Sequence, residues 1–269
     1  MPGGLLKNIW VPLSGQIAQQ RKVETIANNI ANANTTGFKK DDVTFKEHLT
    51  ALSGKNNDIN LPRNEWTPDD FYHTDGAENA FVKVTGSYTD FSQGNLNPTG
   101  RPFDFALHGK GFFEVLTPQG VRYTRNGNFN LSKEGHMVTT NGHKLLSSGD
   151  GDPQSRIIAI DPKFKISVSK EGEIFNQNGN IGNLKLVEFK DPHSLRKHGD
   201  GLFRNDHQDN YKEKISTTVN QGFLEGSNVN AIHEMSELIR AHRHFDNIQK
   251  AINTYDNMAG RAMNDISKF

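Results

Sequence analysis

The chain has 269 residues, of which 33% are hydrophobic and 25 are glycine, a lean composition that argues against the single large core of a compact α/β enzyme. Its 31 basic and 31 acidic residues cancel, so no overall field recruits nucleic acid or an anionic membrane. The absence of cysteine excludes a disulfide framework and thiolate metal sites.

The first fifteen residues, MPGGLLKNIWVPLSG, carry one early lysine and an apolar run broken by Asn8 and Pro12, which does not read as a secretory signal. No stretch of 18 apolar residues exists, so membrane insertion is not expected. A chain of this kind that leaves the cytoplasm is expected to use a route without a cleaved signal.

Residues 1–37 read as an amphipathic helix. Val23, Ile26, Ala27, Ile30 and Ala31 fall at i, i+3, i+4, i+7 and i+8, and Leu6, Ile9, Trp10, Leu13 and Ile17 extend the stripe upstream. Asn28 and Asn32 fall opposite. Pro12 should start or kink this helix, and Gly37 should stop it by taking the left-handed conformation of a C-terminal cap. Residues 38–94 read as an extended arm or linker. Phe38 to Leu52 leave strand and helix both open, while Ser53 to Asp75 are rich in Asn, Asp and Pro, with Leu61, Trp66, Phe71 and Tyr72 as packing anchors.

Residues 95–223 read as a β domain. Short runs such as GFFEVL, RIIAI and NLKLVEF are separated by turn pairs: Asn126-Gly127, Asn141-Gly142 and Asn178-Gly179. No helical crossovers intervene, so the sheet should be mainly antiparallel. Ser132-Lys133-Glu134-Gly135 with Asn141-Gly142 recurs as Ser169-Lys170-Glu171-Gly172 with Asn178-Gly179, an offset of 37 that reads as a repeated hairpin.

Residues 224–269 form the second helical signal. One heptad position reads Leu238, Phe245, Ile252, Ala259, Ile266, and the position three residues later reads Ala241, Ile248, Tyr255, Ala262, Phe269. That is the pattern of a coiled-coil seam, which calls for a partner from the chain's other end or from another subunit, with an ordinary helix lying on its own domain's core as the plainer alternative. The fold class is therefore α+β: long N- and C-terminal helices forming a coiled-coil-like layer around a central, mainly antiparallel β domain.

Sites for chemistry are not found. His233, His242 and His244 lack the i, i+4 spacing of a helical metal site, and Asp150-Gly151-Asp152 lacks the other carboxylates of a calcium loop. Gly109-Lys110-Gly111 lacks the third glycine of a dinucleotide fingerprint. No catalytic residues, cofactor or metal are expected. The distinctive residues serve packing and turns, which suggests an assembly protein. A β-domain binding module, for glycans for instance, with the helices only bracing it, is the rival reading.

Three stretches in order resemble a known family. ETIANNIANANTTGFKK (Glu24 to Lys40) resembles the N-terminal signature of bacterial flagellar axial proteins, and QGFLEGSNVNAIHEMSELIRAHRHFDNIQKAINTYDNMAGRAM (Gln221 to Met263) resembles their C-terminal signature. TGRPFDFALHGKGFFEV with RYTRNGNFNLSKEGHMVTTNGHKLL resembles the central hairpins of the rod proteins. The likeness covers most of residues 1–47, 85–147 and 170–269. It is greatest to the proximal-rod branch of the basal-body rod family, with the distal-rod branch next.

The resemblance implies a structural subunit of the periplasmic rod of the flagellar basal body, exported through the flagellar export apparatus without a cleaved signal peptide. Its partners would be other rod subunits and that apparatus. Carried over, Asn28, Asn29, Ala31, Asn32, Thr36, Gly37 and Phe38 belong to the N-terminal signature, and Glu225, Ser227, Asn228, Val229, Glu234 and Met235 to the C-terminal one. Pro12 and the His244-Phe245 pair depart from the family pattern.

Overall fold

The computed structural model describes residues 10–51, 78–149, 151–161 and 164–266. The chain divides into two units, Met1–Ala27 with Asp42–Tyr88 and Met235–Phe269, and Asn28–Asp41 with Thr89–Glu234. The expected anchors Leu61, Trp66, Phe71 and Tyr72, with Leu6, Ile9 and Phe269, lie outside the described residues.

The first unit takes most of helix α1 (Trp10–Ala31), strands β1 (Asp41–Ala51) and β2 (Glu78–Thr89), and helix α2 (Ala231–Ile266). Pro12 sits in the first turn of α1, where its missing N–H removes no intrahelical bond, so the helix starts there without a break. Ala18 and Ile26 are buried, and Val23 is half-buried. On α2, Ala241 is buried and Leu238, Phe245, Ile248 and Ile252 are half-buried. The two helices meet in opposite directions. Lys22 Nζ lies 3.6 Å from Glu237 Oε2, Gln16 donates to Gln249, and the side chain of Ile248 lies against Gly15.

Strands β1 and β2 pair as a two-stranded ribbon. Thr44 Oγ1 donates to Gly86 O at 3.2 Å and Tyr88 faces Asp42, so partners run in opposite order. The segment that the sequence leaves open between strand and helix is thus a strand. Phe45, Val82 and Tyr88 stay more than a third exposed on it. An isolated ribbon is marginal in water for want of a buried face.

The second unit is the β domain. Its elements run β3 (Leu96–Pro98), β4 (Phe105–His108), β5 (Gly111–Thr117), β6 (Gly120–Thr124), β7 (Phe129–Leu131), β8 (Met137–Thr139) and β9 (Lys144–Leu145). They continue with β10 (Ser167–Val168), β11 (Glu173–Asn176), β12 (Gly179–Asn183), β13 (Leu186–Glu188), β14 (Arg196–Lys197), β15 (Leu202–Arg204), β16 (Thr218–Gln221) and β17 (Phe223–Glu225). The main sheet has the order β14-β15-β6-β5-β9-β8-β7, with β13 also on β5; β10-β11-β12, β4 with β16, and β3 with β17 form smaller sheets. These pairs are antiparallel, as the short Gly- and Asn-bearing connections require.

Strand β5 explains the core. Successive side chains on a strand point to opposite faces, so adjacent Phe112 and Phe113 enter different clusters. Phe113 and Val115 join Phe105, Phe129, Met137 and Leu145, while Phe112 packs with Tyr123, Val187, Phe189 and Phe203. A run that is apolar on both faces thereby marks the central strand.

The repeated motif folds the same way twice. Ser132 N donates to His136 O at 2.8 Å and Gly135 N to Ser132 O at 2.9 Å; Ser169 N donates to Glu173 O at 2.9 Å and Gly172 N to Ser169 O at 3.1 Å. In both copies the serine hydroxyl also accepts from the glutamate N–H at 3.3 Å. The offset repeat is a repeated hairpin turn.

Candidate assembly site

Within the second unit the two terminal signatures converge on one buried carboxylate. The Lys39 and Glu225 side chains are both 0% exposed and Arg125 is 1% exposed, so all three charges are out of water. Lys39 Nζ lies 2.6 Å from Glu225 Oε1, and Arg125 Nη1 lies 3.2 Å from Glu225 Oε2. Gly94 N donates to the same carboxylate at 3.0 Å.

Two cations on one anion leave positive charge to be offset. Lys39 Nζ donates to Ser92 O at 2.7 Å, and Arg125 Nη2 donates to Gly109 O at 2.6 Å, so backbone carbonyl dipoles take up the remainder. The Arg125 guanidinium also lies 5.1 Å from the centre of the Phe112 ring. Burial lowers the pKa of Lys39 and of Arg125, and the Glu225 charge and hydrogen bonds oppose that shift.

Around this cluster the signature asparagines replace missing backbone partners. Asn29 Oδ1 accepts from Asp41 N at 3.0 Å while its Nδ2 donates to Asp41 O at 2.9 Å, as a neighbouring strand would. Asn29 Nδ2 also reaches Glu234 Oε2 at 3.4 Å. Asn228 Oδ1 accepts from Lys40 N at 2.8 Å, and its Nδ2 donates to Asp90 O at 2.8 Å and Ser92 Oγ at 3.0 Å. Asn32 Nδ2 donates to Asn28 O at 2.9 Å at the end of α1, and Thr36 Oγ1 donates to Asn126 Oδ1 at 2.9 Å.

Gly37 corrects one expectation. Its backbone is left-handed at φ 68°, but α1 has already ended at Ala31, so it does not cap the helix. Its N–H donates to Glu225 O at 2.8 Å, and an added Cβ would lie 2.5 Å from Arg125 C and Asn126 N. Glycine is needed there because two backbones pass too close for a side chain.

The remaining signature residues have local roles. Phe38 lies under the Lys197 ammonium, 4.6 Å from its ring centre, and Lys197 Nζ also reaches Asp41 Oδ2 at 2.8 Å. Ser227 Oγ accepts from Val229 N at 3.2 Å. Glu234 is buried in the first turn of α2, where a negative charge suits the helix N-terminus, while Met235 is 51% exposed.

The residues expected to pack subunits divide into two sets. Val23, Ile26, Ile30, Leu238, Phe245, Ile248 and Ile252 are turned inward or half-inward, whereas Ala27, Ala31 and Tyr255 are exposed. The side chains of Ala259, Ala262 and Ile266 lie outside the described residues, although α2 itself runs to Ile266. Sequence reasoning missed Lys39, Arg125, Asp90, Ser92 and Gly94. Three isolated charges far apart in the chain carry no spacing that would have marked them as one cluster.

The chain matches three family models, described as Flagella basal body rod protein over residues 11–39, Flagellar hook protein FlgE/F/G D1 domain over 106–176, and Flagellar basal body rod FlgEFG protein C-terminal over 220–265. It is 33% identical over 261 residues to the flagellar basal-body rod protein FlgF of Caulobacter vibrioides, covering 97% of this chain and 98% of that protein.

The chain belongs to the flagellar basal-body rod protein family.

This rod protein is also 29% identical to FlgF of Mesorhizobium japonicum over 89% of both chains. To FlgG of Bacillus subtilis it is 32% identical, over 97% of this chain and 99% of that one. The rod protein is a structural subunit of the basal body, not an enzyme, and rod proteins assemble with other rod subunits. The first and last family matches end and begin beside the buried cluster: Lys39 closes one and Glu225 lies near the start of the other.

Proposed function

We propose that the protein is a proximal-rod, FlgF-like subunit of the periplasmic rod that polymerises through its terminal helices and passes torque from motor to hook. The observation that carries this reading is the division of α2 into two faces. Leu238, Ala241, Phe245, Ile248 and Ile252 turn toward α1 as the core of a coiled-coil-like layer, while Met235 and Ile239, on the side away from it, are 51% and 56% exposed. A neighbouring subunit covers that outer face, together with the exposed Ala27 and Ala31 of α1. Contacts of this head-to-tail kind do not close on themselves and so build filaments.

The proposed layout is an N-terminal inner-layer segment over 1–37, helical at Trp10–Ala31, then 38–94 as a connecting segment, a β domain over 95–223, and a C-terminal inner-layer segment over 224–269, helical at Ala231–Ile266. Within the second unit the signature residues around Glu225 join the segment that follows α1 to the segment that precedes α2. The flagellar export apparatus is a partner in delivery, a reading that rests on the family resemblance. The likeness to FlgG over nearly the whole chain supports a second reading, a distal-rod position.

Ile252→Asp tests the helical layer. A charge in the seam should block incorporation into basal bodies while the β domain keeps its folded spectrum. Wild-type incorporation of that variant counts against the layer. Labelled subunit localised along purified basal bodies separates the proximal from the distal position.

A further inference from the structure

We propose that three arginines in a row across the main sheet form a seat for a carboxylate supplied from outside the chain, held between Arg204 and Arg122. The strand register sets the row. Arg196 of β14 pairs with Arg204 of β15, and residues directly opposite on antiparallel strands share a face. The next step across the sheet follows from Phe203, which pairs with Tyr123 of β6 and joins the same core cluster. Side chains alternate along a strand, so Arg204 and Arg122, which leave that pair on the same side, both point to the opposite face. Val115, the β5 partner of Arg122, and Leu202 belong to the core cluster of that face.

Like charges set opposite each other cost stability unless an anion lies between them. Between Arg196 and Arg204 that anion is Asp206, 3.4 Å from Arg196 Nε and 2.6 Å from Arg204 Nε, with Arg204 Nη2 donating to it at 3.0 Å. The hydrogen bond from Arg204, with the charges of Arg204 and Arg196, holds the Asp206 carboxyl below the usual carboxylate range. Arg122 has no such partner. It is 7% exposed, its Nη1 donates to Val121 O at 2.7 Å, and its buried Nε has no acceptor. Among the described residues no carboxylate forms an ion pair with it, so three guanidiniums share one carboxylate.

A buried cation without an anion is costly, and one backbone carbonyl offsets only part of that cost. A guanidinium carries five N–H donors in a planar fork, and Asp206 takes the Nε and Nη2 edge of Arg204. The Nη1 donors of Arg204, on a side chain 41% exposed, remain for a second carboxylate that would lie between Arg204 and Arg122 as Asp206 lies between Arg204 and Arg196. The group arrives either on an acidic side chain of a neighbouring subunit or as a free small acid.

Full-length protein is titrated with malonate, and with chloride at matched ionic strength, while the thermal midpoint is followed. Malonate should raise the wild-type midpoint progressively and chloride should not. Arg122→Met and Arg204→Gln should each lose that rise, and Arg21→Gln, at an exposed position on α1, should keep it. Without malonate Arg122→Met should hold or raise the midpoint, because the free protein gives Arg122 no anion to lose. A malonate response no larger than that to chloride, or one kept by Arg122→Met and Arg204→Gln, overturns the seat. Polymerisation then separates the two sources. If a neighbour supplies the carboxylate, Arg122→Met raises the critical concentration and malonate inhibits the wild type; if neither changes assembly, the ligand is the free acid. Failure to polymerise at all counts against the helical layer and leaves the malonate result standing.

Discussion

The cluster around Glu225 and the seam between α1 and α2 both tie the ends of the chain down, and they do so by opposite physics. At Glu225 three buried charges are held by short, directional bonds that join five separate stretches of chain, at Lys39, Gly94, Gly109, Arg125 and Glu225. Along the seam, half-buried aliphatic and aromatic side chains predominate, and among the described residues only Ala18, Ile26 and Ala241 are buried apolar ones. Apolar contact tolerates repacking, whereas a buried charge punishes any loss of its partner. The difference suggests a division of labour: the cluster fixes the segments that follow α1 and precede α2 within the second unit, and the seam leaves surface for neighbours to cover.

Breaking the cluster should have the largest effect. Glu225→Gln removes the one anion shared by Lys39 and Arg125, leaving two buried cations uncompensated, and should cost about 3–5 kcal/mol in urea unfolding of the β domain. A loss below about 1 kcal/mol would show that the cluster is open to water and holds the chain no more tightly than a surface pair.

A second buried carboxylate sharpens the same point through pH. Burial pushes the Glu188 pKa up, but hydrogen bonds from Lys212, Thr217 and Ser216 outweigh it and bring it from 4.5 down to about 2. The folded value is depressed, so the stability it supplies is present above 4.5 and is lost as pH falls toward 2. Thermal midpoints should drop between pH 5 and pH 2.5, and Glu188→Gln should make that drop shallower. An equal drop in the variant would remove Glu188 from the acid response.

The smallest effect on the isolated subunit should come from the far end of the seam face of α2, one heptad beyond Ile248. Tyr255 is 47% exposed, so Tyr255→Ala should change monomer stability by no more than about 0.5 kcal/mol, yet raise the concentration needed for polymerisation. Unchanged polymerisation would place Tyr255 outside the subunit contact and shorten the face that neighbours cover.

Much of this was legible in the chain itself. The 3.6-residue stripe from Val23 to Ala31 and the heptad from Leu238 to Ile252 announce helices because each repeat keeps one face apolar. Paired turn residues announce the hairpins, and the repeat at an offset of 37 announces the same turn twice. The ribbon of β1 and β2 was harder to read. Its described side chains are half-buried or exposed, and DDVTFKEHLTA and ENAFVKVTGSYT show only a weak alternation.

Local periodicity, turn chemistry and the terminal signatures by themselves determined two helices, an antiparallel β domain and membership of an assembly family. They act between residues a few positions apart, where spacing alone reports geometry. The tertiary structure alone decided that Lys39, Arg125 and Glu225 share one dry site, that Gly37 serves a close approach and not a helix end, and which side of α2 stays exposed. Those outcomes depend on which distant segments exclude water from one another, and no spacing in the chain encodes that.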